Sequence, residues 1–90
     1  MSFGTSIRRA LNESLPVGAR YMALLTAIER SHLSYGETWA NLTALFGVQI
    51  GDRLTHEQFV QIATYLSTER AKWRARCEEE RRVSRQRKYA

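Results

Sequence analysis

Cysteine and proline are nearly missing from this chain of 90 residues; each occurs once, as Cys77 and Pro16. A single cysteine excludes an internal disulfide and fits a reducing compartment. A single proline and only five glycines leave little to interrupt helices. No apolar run approaches the ~20 residues that span a bilayer, so no membrane partner is expected. The first residues, Met1-Ser2-Phe3-Gly4-Thr5-Ser6-Ile7-Arg8-Arg9, lack the charged-then-apolar order of a signal peptide. Together these absences predict a soluble, cytoplasmic protein.

The signatures of chemistry are missing too. The chain has no glycine-rich phosphate loop, nucleophile elbow or paired-carboxylate constellation. His32, His56 and Cys77 have no metal-ligand spacing and sit in no paired motif. His32 reads better as a favourable partner for a helix C-terminus. Cys77 has basic neighbours in Arg74, Arg76 and Arg81, but nothing marks a second catalytic group beside it. The expectation is a protein that is not an enzyme, with no cofactor, no metal and no small-molecule substrate.

What the chain does have is charge in one place. Residues 1–68 hold five basic residues (Arg8, Arg9, Arg20, Arg30, Arg53) against five acids (Glu13, Glu29, Glu37, Asp52, Glu57). Residues 69–90 hold nine basic residues against four acids, and so carry the whole net charge of +5. The division predicts a neutral helical body, 1–68, and a basic helical C-terminal arm, 69–90, within one domain. A chain this small buries roughly 60–65% of its unfolded surface. Trp39 and Trp73 should therefore matter for packing.

Apolar spacing is helical almost throughout. Ile7, Ala10, Leu11 and Leu15 predict a short helix from about Thr5 to Ser14, ended by Pro16. Pro16 also suits the first turn of a second helix reaching about Ser31, with Val17, Tyr21, Leu24, Leu25 and Ile28 as its buried stripe. Ser34-Tyr35-Gly36-Glu37 reads as a capping box opening a helix with Trp39, Leu42, Leu45 and Phe46, stopped at Gly47. Thr55-His56-Glu57-Gln58 is a second capping box, with Leu54 and Phe59 at the hydrophobic-staple positions. No Gly or Pro follows it, so the last helix should run to Arg82 or further. Oppositely charged pairs such as Arg74 with Glu78 and Glu78 with Arg82 would support it. The fold class is all-α: a small bundle of three to four helices with a long basic C-terminal helix projecting from it.

At ~100° per residue, Arg70, Arg74, Arg81, Arg85 and Lys88 share an arc of about 60°. Trp73, Cys77 and Ser84 border this ridge, Glu78 and Glu80 flank it, and Glu79 lies behind. An aligned basic ridge suits phosphate or carboxylate contact. Trp73 or Tyr89 suits stacking on a base or packing in an interface, and Tyr35, beside a loop, suits a partner surface. Competing readings are a merely solvated helix, which Glu78-Glu79-Glu80 favours, and a homodimer through the last helix.

Residues 39–66 carry a pattern of Trp39, Leu42, Phe46, Gly47 and Val48, then a short loop, then Leu54, Thr55, Gln58, Phe59, Tyr65 and Leu66. This resembles the small helical C-terminal module of phage antirepressor-type proteins. More loosely, it is similar to the C-terminal helical domain of phage single-strand-annealing recombinases. The resemblance implies a phage or prophage setting and a docking role beside nucleic-acid machinery; no catalytic residue carries over. The expected function is a small non-enzymatic phage protein that binds nucleic acid, or a nucleic-acid-processing complex, through the basic helix. The alternative is a protein-interaction module that inhibits or adapts a host protein without touching nucleic acid.

Overall fold

The described residues form four helices, three of them opened by a polar cap: α1 (Phe3–Leu11), α2 (Val17–Glu29), α3 (Tyr35–Phe46) and α4 (His56–Tyr89). The structure is a computed structural model that describes residues 2–89, with side chains described as far as Arg87. No strand occurs among the described residues, and the protein is an all-α bundle with a long last helix.

Both capping boxes open helices where expected. The Glu37 N–H donates to Ser34 Oγ at 3.2 Å. At α4 the box is reciprocal: the Gln58 N–H donates to Thr55 Oγ1 at 3.2 Å, and the Thr55 N–H donates to Gln58 Oε1 at 2.9 Å. The staple residues Leu54 and Phe59 are both buried. Gly47 closes α3 in the left-handed region, at φ 69°, with its N–H on the Thr43 carbonyl at 2.9 Å. A Cβ at Gly47 would meet no neighbour within 4 Å, so backbone strain alone opposes a side chain there. Gly47→Ala is expected to lower unfolding free energy by about 1–2 kcal/mol in urea titration.

The first two helices are shorter than the apolar pattern predicts. Ser2 caps α1, which begins at Phe3, two residues before the expected Thr5; the Ser2 Oγ accepts from the Thr5 N–H at 3.2 Å. The chain leaves α1 at Asn12, not at Pro16, because the Asn12 side chain takes the Ser14 N–H at 3.0 Å and turns the backbone. Pro16 lies just outside α2 as its N-cap, with extended ψ of 148°, and its carbonyl accepts from the Arg20 N–H. α2 stops at Glu29 instead of Ser31. Its buried face is Arg20, Ala23, Leu24, Ala27 and Ile28; Val17 is exposed, and Tyr21 and Leu25 are half-buried.

The core is made where Leu24 and Ile28 of α2 and Leu42 of α3 meet Phe59, Ile62, Ala63 and Leu66 of α4, with Ala10 and Ile7 of α1 closing one side. Trp39 is buried in this core, edge-on to Tyr35, and Phe46 meets Tyr65 edge-to-face. The loop after Gly47 is pinned by buried Val48 and Leu54, by Asp52 Oδ2 accepting from the Gln49 N–H, and by Tyr21 Oη accepting from the Gly51 N–H at 2.7 Å.

One charged side chain lies inside this core. Arg20 is 5% exposed, with its guanidinium carbon 4.3 Å from the Phe59 ring centroid. Its Nε donates to the Ala10 carbonyl at 2.8 Å, and its Nη2 lies 2.8 Å from His56 Nδ1. A guanidinium only donates, so His56 Nδ1 accepts. The ring's proton then sits on Nε2, which points at Glu13 Oε1 3.2 Å away. The chain Glu13–His56–Arg20–Ala10 ties the end of α1, the start of α2 and the start of α4 together.

A basic ridge as candidate nucleic-acid interface

α4 has 34 residues and is about 51 Å long, against a longest molecular dimension of 55 Å. The radius of gyration is 15.7 Å, where a compact chain of this length has about 12 Å. The excess is the projecting part of α4. The stripe that faces the core, Phe59, Ile62, Ala63 and Leu66, continues along the same side of the helix as Arg70, Trp73, Cys77 and Arg81. The ridge is thus the unpartnered end of the core face, with its composition changed from apolar to basic.

The structure divides the ridge in two. Arg70 is drawn onto the body: its guanidinium carbon lies 4.4 Å from the Phe3 ring centroid, and Nη1 donates to the Arg30 carbonyl at 3.2 Å. Desolvation there, and secondarily the neighbouring Arg74 charge, lower its pKa from the ordinary arginine value. Trp73 is also held against the body, its ring stacked on His32 with centroids 5.3 Å apart and planes 8° from parallel. His32 lies beyond the end of α2 and supports this indole by stacking. These two contacts carry the attachment of α4 to the body past residue 69. Arg74, Arg81 and Arg85 are exposed and engage no ion pair among the described residues.

Shallow grooves follow the ridge. One is lined by Arg70, Trp73, Arg74, Cys77, Glu78 and Arg81. The next runs on through Cys77, Glu80, Arg81, Ser84 and Arg85. Cys77 is the half-buried residue the two share. Trp73 is 38% exposed beside these grooves, and Tyr35, at the start of α3 and edge-on to Trp39, is exposed to the same degree. The side chains of Lys88 and Tyr89 lie outside the described residues. Glu79 pairs with Arg82 and Glu69 with Lys72, in place of the pairs expected between Arg74, Glu78 and Arg82, while Glu78 and Glu80 each line one of the two grooves.

Other candidates stand apart from one another. His56 belongs to the Arg20 network, His32 to Trp73, and Cys77 to the ridge. Among the described residues no group of three or more His, Cys, Asp or Glu side chains converges. No helix among them is long and apolar enough to cross a membrane. The residue that sequence reasoning missed is Arg20. Its signal was its register, four residues before Leu24 and eight before Ile28, on the face that packs inward.

The fold and the ridge define a small all-α bundle that extends one basic helix away from its core. Compared with known proteins, the chain matches no family model, no curated protein and no solved structure.

Proposed function

We propose that this is a non-enzymatic protein that binds nucleic acid, or the nucleic-acid component of a processing complex, through the projecting part of α4. One observation carries the reading: Arg74, Arg81 and Arg85 stand exposed, and unpaired with any described acid, along one side of a helix that has left its core. Crowding of like charge on that side is relieved by an anion, and each phosphate met releases counterions. The resemblance of residues 39–66 to phage antirepressor and annealing modules supports a phage or prophage setting, and the lone cysteine supports a cytoplasmic one.

The test is binding of labelled nucleic acid by fluorescence anisotropy, with the full chain beside one cut after Cys77. The cut keeps Arg70 and Trp73, which contact the body, and removes Arg81 and Arg85. The cut chain is expected to keep its thermal transition and lose about tenfold or more in affinity. Equal binding by both chains would refute the arm as the contact.

A second reading has its own observation. Ile50 is 60% exposed at the tip of the loop and Leu45 is 59% exposed at the end of α3, which suits a protein partner. In this reading the Trp73 side and the 47–54 loop inhibit or adapt a host protein. Its mark would be a salt-insensitive complex lost on Ile50→Asp.

A further inference from the structure

We infer that the ridge takes single-stranded nucleic acid, with an unpaired base stacked on Trp73; the inference rests on the phosphate-binding reading above. The exposed, preoriented indole of Trp73 points to a strand in place of a duplex.

Trp73 is held parallel to His32, so its orientation is fixed before any ligand arrives, and 38% of it stays open beside Arg74, Cys77 and Arg81. A fixed aromatic surface loses little freedom on stacking. Base–aromatic stacking beside a cationic groove is how single strands are held without sequence preference, because every base has a π-face. A base inside a duplex is already stacked on both sides and cannot use the surface.

The experiment uses the full chain and three probes at one salt concentration: oligo-dT and oligo-rU of about 15 nucleotides, and a hairpin duplex of equal phosphate count. Oligo-dT or oligo-rU is expected to bind at least about tenfold more tightly than the hairpin, and the difference between dT and rU identifies DNA or RNA as the strand. Trp73→Ala is expected to lower strand affinity about ten- to a hundredfold and leave hairpin binding unchanged. Trp73→Phe, which keeps a ring on His32, should retain most of the affinity. Thermal melting of both variants shows that the bundle is intact. Equal affinity for strand and hairpin, or strand affinity unchanged in Trp73→Ala, overturns the inference and leaves phosphate contact standing. No binding to any probe at low salt removes the phosphate-contact reading as well.

Discussion

Reversing Arg74 and Arg81 together to glutamate is expected to lower nucleic-acid affinity about a hundredfold at ~0.1 M salt while leaving the bundle folded. Each phosphate contact contributes close to a factor of ten at that salt, and two are removed. Both side chains are exposed and neither pairs with an acid among the described residues; Arg74 lines a shallow groove with Ser2, Phe3 and Gly4 at the start of α1 but holds no hydrogen bond there. The melting temperature is the control: it should shift by no more than surface substitutions usually cause. Arg70→Glu is the informative contrast. It would strip a cation from the Phe3 ring and the Arg30 carbonyl, and is expected to lower stability. A loss of binding in that variant alone would not distinguish contact from unfolding.

Arg20→Ala is expected to destabilise the bundle by about 3 kcal/mol in urea unfolding. The substitution leaves the Ala10 carbonyl and His56 Nδ1 without their donor and uncovers the face of Phe59. Arg20→Met, which keeps most of the apolar stem, should cost about 1 kcal/mol less, since only the hydrogen bonds and charge are lost. His56→Ala should cost less again, about 1 kcal/mol, because its side chain is 44% exposed and water can replace it at Arg20. An Arg20→Ala variant as stable as the parent would show that the buried guanidinium does not hold α1, α2 and α4 together.

Much of the architecture could be read from short-range chemistry. Thr55 with Gln58, Leu54 with Phe59, Ser34 with Glu37, and Gly47 each act within a few residues; all are found as read except that at Ser34 only the Glu37 N–H to Ser34 Oγ half of the capping box is made. The ends of α1 and α2 were harder. Ser2, Thr5 and Asn12 all compete for backbone groups near α1, and the winners are Ser2 at the start and Asn12 at the end. Val17 looked like core by its apolarity, whereas the register of α2 gives the inward place to Arg20. Arginine is rarely buried, and only the three-dimensional meeting of Ala10, His56 and Phe59 provides it with partners.

The ridge was legible for a different reason. Helical periodicity alone places Arg70, Arg74, Arg81 and Arg85 on one side of α4. Periodicity carries no information about where the body ends. That depends on Phe3, Arg30 and His32, which arrive from other helices and claim Arg70 and Trp73. The free part of the ridge is accordingly shorter than the run of basic residues suggests.

The most direct measurement is the affinity of the full chain for oligo-dT and oligo-rU across a series of salt concentrations. Three or four arginine and lysine contacts to a single strand predict a straight line of log K against log salt, with slope of about −2 to −3. A slope near zero, or no binding at low salt, would contradict a phosphate-contacting helix.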